Sequence, residues 1–376
     1  MRLPILLLGG AALAALPLPL RAAAAPPPAP PAAPAQFTKT IKKRFAVEPE
    51  GDLRLDNRYG DIDYEVWDRG SVEIEITVTA YTPTEAKAER VFERIDFDIA
   101  AAPRSVSAAT ELEAGPSTWS WGSRGSRFEI DYRVRAPRGW RLDIEHRYGD
   151  VRLPDLATDT EVDLRYGDLE AGDIAGVTTL KLGYGEAELG RLGDLEADLQ
   201  YAEATVRRAG VARVRTRYSD ARIGRVTKLR LDSRHGDVEI AAVGEFVNAG
   251  GYDDFRIDSA GSVSIDSRYT DVHIGYLADG AVLDLRYGEA DIAATSARLK
   301  TLDLTGSYTD FAVRFDPAVT YRLEAAGNYT NFALPAALEV SRRESAGSSR
   351  SVAGHYGANP QASVLVANHY GSLRVE

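Results

Sequence analysis

Acidic residues recur at one position of a repeated pattern, and evenly spaced carboxylates could serve hydrolysis or ligand binding. Each acid stands two residues after a tyrosine or, once, after a histidine. The clearest copies are Asp150, Asp168, Glu186, Glu203, Asp220, Asp237, Asp254, Asp271, Glu289 and Asp310. Two carboxylates can cleave a glycosidic bond when the environment of one differs from that of the other. Because the acids repeat evenly, we expect them to be structural and predict no catalytic residue.

Arginine often directly precedes the same tyrosine, so that basic and acidic residues alternate along the pattern. The copies are Arg58, Arg147, Arg165, Arg217, Arg234, Arg268 and Arg286. Such rows could bind a glycan or a divalent cation; the simpler interpretation is a solvated face of mixed charge. The candidate ligand face consists of Arg165, Asp168, Arg217, Asp220, Arg234, Asp237, Arg268 and Asp271, together with Trp119 and Trp121.

Trp119 and Trp121 lie in a Gly- and Ser-containing loop, 113–126. Because they are two positions apart, they face the same side of an extended chain. An aromatic pair of this kind could stack on a sugar ring. The alternative is that both rings pin the loop to the core or cover one end of the repeats.

Other chemistry has little support in the sequence. His355 and His369 each precede a tyrosine, but no carboxylate accompanies them there, which makes a poor metal site. No serine stands on a strand-to-helix elbow, and no phosphate-binding glycine loop opens a helix. We therefore predict no metal and no cofactor.

The elements that position these residues follow from the spacing of the rings. The predicted ladder is Tyr148, Tyr166, Tyr184, Tyr201, Tyr218, His235, Tyr252, Tyr269, Tyr287, Tyr308 and Tyr329. Successive rings are 17 or 18 residues apart up to Tyr287, and the intervals lengthen beyond it. A fixed period indicates one structural unit stacked many times.

One repeat contains two short strands and two corners. Alternating apolar residues such as Val162 and Leu164 precede the ring, and a short strand such as 151–153 follows the acid. The pattern predicts an all-β fold, a parallel β-solenoid (β-helix) with one rung per copy and rungs about 4.8 Å apart. We expect the small residue after the ring to form the bend and the acid to bind corner amides. The general preference for right-handed crossovers favours right-handed coiling, but the pattern itself leaves the handedness open.

The copies at Tyr356 and Tyr370 extend the pattern to the C-terminal end, and Tyr59 is an isolated early copy. With one rung per copy in chain order, the repeats would form a rod of roughly 60 Å.

Four segments are predicted. Residues 1–25 resemble a secretory signal peptide, with a transmembrane anchor as the alternative, and 26–36 form a Pro/Ala tether. Residues 37–146 form a β-rich capping unit with one helix at 83–95, preceded by a capping box at Thr82. Residues 147–376 contain the repeats. Whether the capping unit is a separate sheet or irregular first rungs stays open.

Composition limits the partners and the compartment. The net charge of −11 disfavours a nucleic-acid partner. The chain has no cysteine, so disulfides and a lipid-attachment cysteine are excluded. With the signal peptide, we expect export to the periplasm, the outer-membrane surface or the extracellular space, and no membrane span after cleavage.

The pattern Leu-x-Leu-x-x-Arg-Tyr-Gly-Asp, as at 53–61, resembles the DUF4097-type β-strand-repeat family of secreted bacterial envelope proteins. These proteins are widespread in Bacteroidetes and are often labelled adhesins. The resemblance covers about residues 41–376 and implies a secreted β-solenoid without established enzymatic residues. The chain departs from the pattern near its end, where Asn331, Ala358 and Ser372 replace the acid.

Three hypotheses about function follow. The first is a non-catalytic, adhesin-like envelope or surface protein that presents a repetitive face to a glycan or an envelope protein. The second is a structural scaffold that self-associates through open β-edges at its ends. The third is a carbohydrate-active enzyme on a β-helix, which would need a local groove with unequal acids.

Overall fold

The computed structural model describes residues 35–113 and 127–376. The predicted signal peptide, nearly all of the tether, and Trp119 and Trp121 lie outside these residues. The described chain is almost entirely β-strand, with one helix, and its 21 strands belong to one hydrogen-bonded sheet.

The N-terminal part contains eight strands and the single helix. They are β1 Ala35–Ala46, β2 Glu50–Arg58, β3 Ile62–Trp67, β4 Ser71–Thr82, α1 Glu85–Phe92, β5 Ile95–Ala102, β6 Ser105–Leu112, β7 Arg127–Pro137 and β8 Gly139–Arg147. Strands of the central part carry most of the repeats. They are β9 Val151–Leu153, β10 Thr160–Arg165, β11 Leu169–Ala171, β12 Ile174–Gly183, β13 Glu186–Gln200, β14 Glu203–Arg217, β15 Asp220–Arg268 and β16 Asp271–Ile292. The C-terminal strands are β17 Thr301–Val313, β18 Tyr321–Ala333, β19 Glu339–Ala346, β20 Ser349–Tyr356 and β21 Ala362–Val375.

Consecutive repeats pair in parallel at equivalent positions. Val162 of β10 lies between Ile144 of β8 and Leu180 of β12, an offset of one repeat on either side. The same register continues from β13 through β17. Residues at equivalent positions of successive repeats therefore stack over one another along the sheet.

Inward-facing residues of these strands build a continuous apolar core. Val162, Leu164, Leu180 and Leu182, which alternate before the ring positions, are at most 2% exposed. Burial of such a side chain stabilises the fold by about 1.5–3 kcal/mol. A repeat gains this stabilisation only when neighbouring repeats cover its apolar side chains.

The N-terminal part contains the first copy of the repeat, which follows β1. β2 pairs in parallel with β8, so that Arg58 is opposite Arg147, and β3 pairs with β9. β1, β4 and β7 form an antiparallel group that interrupts this copy, and β1 pairs only with β4 among the described strands.

The helix α1 is shorter than the predicted 83–95. It begins at Glu85, with Thr84 as its N-cap, and buries Ala88, Val91 and Phe92. The predicted capping box does not form, because the Thr82 hydroxyl donates to the carbonyl oxygen of Thr84 (2.9 Å).

The C-terminal strands are not stacked in chain order, contrary to the prediction of one rung per successive copy. β21 lies between β17 and β18 and is parallel to both. The outer side of β18 pairs with β20, which forms an antiparallel hairpin with β19, a strand whose residues are all exposed.

Candidate functional site

Thirteen aromatic rings form one continuous stack, which we call the tyrosine row. Neighbouring centroids are 4.7–5.2 Å apart and their planes lie within 20° of each other. In spatial order the row is Tyr59, Tyr148, Tyr166, Tyr184, Tyr201, Tyr218, His235, Tyr252, Tyr269, Tyr287, Tyr308, Tyr370 and Tyr329. Tyr356, a predicted copy, stacks instead on Tyr321 (5.3 Å).

Every member of the tyrosine row has a left-handed backbone, with φ between 51° and 66°. This conformation costs a non-glycine residue roughly 1–2 kcal/mol, and an aromatic pair contributes only about 0.5–1.5 kcal/mol. Backbone hydrogen bonds also help to compensate the cost of the left-handed conformation. The N–H of Tyr166 donates to the carbonyl oxygen of Gly183 in the next repeat (2.9 Å), and the N–H of Tyr218 donates to that of Arg234 (2.9 Å).

The bend predicted for the small residue after the ring belongs to the ring residue itself. The small residue points inward, where neighbouring repeats approach closely. A Cβ atom at Gly167 would overlap the carbonyl oxygen of Gly149. At Gly167 the lack of a side chain thus reflects limited space.

The rings expose their edges rather than their faces. Ten tyrosines of the row are 38–62% exposed, from Tyr148 to Tyr329. Since each inner ring has another ring against both faces, its free surface consists of the ring edge and the hydroxyl group. The row is therefore a continuous, half-exposed strip in which the ring edges are apolar and the hydroxyl groups are polar.

The acids beside the row have a structural role. A carboxylate oxygen of Asp150 accepts the backbone N–H of Asp168 (3.0 Å), and Asp168 in turn accepts that of Glu186 (2.8 Å). Asp220 and Asp271 bind the equivalent amides of Asp237 and Glu289 (both 2.9 Å). Each of these acids thus joins its own repeat to the following one.

The arginines on the other side of the row are exposed. Arg165 is 3.8 Å from Asp163. Within the described residues, no carboxylate lies within salt-bridge distance of Arg217, Arg234, Arg268 or Arg286. Their guanidinium groups can therefore bind a partner without breaking an internal ion pair.

Shallow grooves flank the tyrosine row on both sides. Arg268, Arg286 and Asp284 line one on the arginine side, of about 560 Å³. Glu186 and Glu203 line another on the acid side, of about 410 Å³. The candidate site is thus a ridge of ring edges between two charged grooves.

A buried polar cluster lies beneath the tyrosine row near His235, the one histidine in that row. Asp253 is 2% exposed and accepts hydrogen bonds from the Ser233 hydroxyl (2.9 Å) and from the backbone N–H groups of Gly251 (3.0 Å) and Gly236 (3.2 Å). Burial raises the pKa of the Asp253 carboxyl to about 6. Asp253 is not part of the predicted ligand face, although an acid directly after the ring position and a histidine in the preceding repeat both break the sequence pattern.

A larger cleft, of about 830 Å³, adjoins the N-terminal end of the row. Tyr148 and Tyr166 line it together with Asp61, Glu129 and Asp131. Burial raises the pKa of the Asp131 carboxyl above its ordinary value. This carboxyl accepts the backbone N–H of Asp61 (3.0 Å).

The remaining histidines do not converge. His355 contacts Glu339 (3.4 Å), whereas the ring of His369 packs edge-on against Tyr370. Residues 35–113 and 127–376 contain no group of three or more His, Asp or Glu side chains arranged to hold a metal ion. In the same ranges, no helix has the length and apolarity needed to cross a membrane.

No family model matches the chain, and no curated protein does. Among solved structures, a "putative adhesin" from Parabacteroides merdae is 12% identical, with a TM-score of 0.32 over 73% of this chain and 95% of that one. A "putative cell adhesion protein" from Clostridium sporogenes is 10% identical, with a TM-score of 0.19 over 90% and 99% of the two chains. A "putative lipid binding protein" from Parabacteroides distasonis is 11% identical, with a TM-score of 0.31 over 61% and 94%. TM-scores of this size indicate neither a shared fold nor a shared function.

Proposed function

We propose that the protein is a non-catalytic, exported envelope protein of adhesin-like function. Its repeats form a parallel β-solenoid of the DUF4097 type, and the tyrosine row with its flanking charges is the surface presented to a glycan or protein partner. The observation that carries this proposal is the continuous exposure of the ring edges. Extended exposed apolar surfaces mark interaction sites in proteins, and tyrosine is enriched at interfaces.

The regular hydrogen bonding of the acids supports a non-catalytic role. A catalytic pair needs two carboxylates in different environments. Asp150 and Asp168 instead make the same bond to the next repeat, and their positions are equivalent. Asp150 and Asp168, like Asp220 and Asp271, thus join neighbouring repeats, and the exposed acids supply charge to the surface.

Association end to end has less support than binding along the row. β1 and β19 each pair with a single strand among those described. β1 carries Lys39, Lys42 and Lys43, and β19 carries Arg342 and Arg343. Charged residues on outer strands oppose pairing with another sheet edge.

The proposal is tested by adhesion of the full chain to envelope preparations and glycan arrays. The triple variant Tyr184→Asn, Tyr201→Asn and Tyr218→Asn removes three rings from the row. Asparagine is chosen because it tolerates the left-handed backbone. We expect the variant to lose at least about tenfold in binding, since central aromatic residues dominate interface energies.

A matched control is Tyr276→Asn, because Tyr276 is 42% exposed but lies outside the row. It should bind as the wild type does. Equal binding by the triple variant and the wild type would show that the row is not the recognition surface.

A further inference from the structure

We infer that the partner of the tyrosine row is the row of a second copy of this chain, packed side by side with both chains running in the same direction. This inference rests on the proposed function, because it names the partner of the same surface.

The stacking of the rings limits what can bind. A sugar binds an aromatic residue through the ring face, but the inner rings of the row already have neighbours on both faces at 4.7–5.2 Å. Only edges and hydroxyl groups remain, so the partner must contact a ridge along its length. Stacking of a sugar on single rings is therefore not available over most of the row.

The period of the row selects a partner with the same spacing. Ring centroids repeat at the separation of adjacent β-strands, about 4.8 Å. A second copy of this chain presents rings and charges with that same period. Contacts made at one repeat are then made again at every other repeat.

The available area is sufficient for a stable dimer. A tyrosine side chain buries about 150–250 Å² when fully covered, so ten half-exposed tyrosines provide roughly 1,000 Å² on each copy. A standard interface buries about 800 Å² per partner.

Charge determines the orientation of the two copies. Across the row the order is arginine, tyrosine, acid, and six repeats from Tyr148 to Tyr287 have both charges. The pairs are Arg147 with Asp150, Arg165 with Asp168, Arg217 with Asp220, Arg234 with Asp237, Arg268 with Asp271, and Arg286 with Glu289.

A twofold axis along the row places each arginine opposite the acid of the same repeat in the other copy. A twofold axis across the row instead places arginines opposite arginines and acids opposite acids. Because like charges in contact oppose binding, only the first arrangement is complementary. The ring edges then meet along the axis, and the arginine side chains span the grooves on either side.

The test is sedimentation of the full chain with two charge variants. The first, Arg234→Glu with Arg286→Glu, makes both sides of two repeats acidic. The second, Asp237→Lys with Glu289→Lys, makes both sides of the same repeats basic. All four residues are exposed or partly exposed at the surface. Each variant alone should dimerise at least about tenfold more weakly than the wild type, because like charges face each other.

An equimolar mixture of the two variants should dimerise again, to within about threefold of the wild type, since every reversed charge then faces its opposite. Recovery in the mixture also shows that both variants are folded. A wild-type chain that stays monomeric up to about 100 μM would overturn the inference. So would a dimer that the charge variants do not weaken, or a mixture that does not recover.

The adhesion assay with the triple tyrosine variant separates this inference from the proposed function. A monomeric wild-type chain whose binding to a glycan or another protein needs the row would contradict the second-copy partner and leave the proposed function standing. A chain with neither self-association nor row-dependent binding would overturn both.

Discussion

The ring of Tyr308 stacks on the ring of Tyr370 with a centroid separation of 4.7 Å, although β18, β19 and β20 lie between them in the chain. The C-terminal strand is therefore an inner member of the sheet. Tyr370 also stacks on Tyr329 (4.8 Å), so that β18 is attached to the repeats through β21. The stack from Tyr308 to Tyr329 therefore depends on the position of β21.

Cysteine cross-linking tests this strand order, and the absence of native cysteine makes the experiment simple. Ser307 is opposite His369 in the register of β17 and β21, and Asn328 is opposite His369 on the other side. Ser307→Cys with His369→Cys should form a disulfide, because neighbouring strands are about 4.8 Å apart.

The pair Ser307→Cys with Asn328→Cys should stay reduced, because β21 lies between the two strands and the Cα atoms exceed the ~7 Å limit. A disulfide in this second pair, detected by mass spectrometry, would contradict the observed order.

The left-handed backbone of the row predicts an unusual ranking of substitutions at Tyr201, which has φ 52°. Tyr201→Phe should stay within about 0.5 kcal/mol of the wild type, because the ring and its stacking are kept. Tyr201→Asn loses the stacking but tolerates the backbone. Tyr201→Val loses both and should be roughly 1–2 kcal/mol less stable than the asparagine variant.

Urea denaturation measures these differences. If valine proved as stable as asparagine, the tyrosine backbone would not be left-handed in solution.

The bond from Asp168 to the backbone N–H of Glu186 predicts that the acid row stabilises the fold. Asp168→Ala should lower the free energy of unfolding by about 1 kcal/mol, because an amide loses its acceptor. Asp168→Asn keeps an acceptor oxygen and should lose less. Glu289 is at the equivalent position of a later repeat, but within residues 35–113 and 127–376 its carboxylate accepts no backbone N–H of the next repeat. Glu289→Ala should therefore stay within about 0.5 kcal/mol of the wild type.

Buried Asp253 predicts a pH dependence of stability. Its folded pKa is about 6 and its unfolded pKa about 3.9. Between these values the unfolded chain has lost the proton and the folded chain keeps it, so stability decreases as the pH rises from about 4 to 6 and is level above that. Asp253→Asn should remove this decrease in stability, which is measured by urea unfolding curves at a series of pH values. An unchanged pH profile in the variant would exclude Asp253 as its source.

The repeat and its inward-facing residues could be predicted from sequence because both depend on local alternation. Val162 and Leu164 alternate with polar residues, and the fixed interval to Leu180 and Leu182 places them in register. The same interval of 17 or 18 residues places the rings from Tyr148 to Tyr287 in one row.

The position of the bend could not be predicted in the same way. A glycine follows Tyr166 and Tyr184, and glycine is the residue that most readily adopts unusual backbone conformations. The left-handed conformation belongs instead to the tyrosine, and Gly167 lacks a side chain because a Cβ atom there would overlap the carbonyl oxygen of Gly149. Only the packing between repeats reveals that constraint.

The order of the last strands depends on contacts between distant residues. The irregular intervals after Tyr287 showed that the stacking changes there, but they did not show which strands pair. Tyr356 has the same residue type as the row and faces Tyr321 because β20 runs antiparallel to β18.

Iodination of exposed tyrosines, with and without bound partner, tests most directly the claim that the tyrosine row is the recognition surface. The full chain is labelled once in dilute solution and once bound to the envelope preparation or to a second copy. Mass spectrometry then identifies the labelled positions in each sample. We predict that Tyr184, Tyr201 and Tyr218 are labelled in the free chain and protected in the bound chain, while Tyr276 is labelled equally in both. Equal labelling of the row in the two states, or protection of Tyr276 alone, would contradict the account.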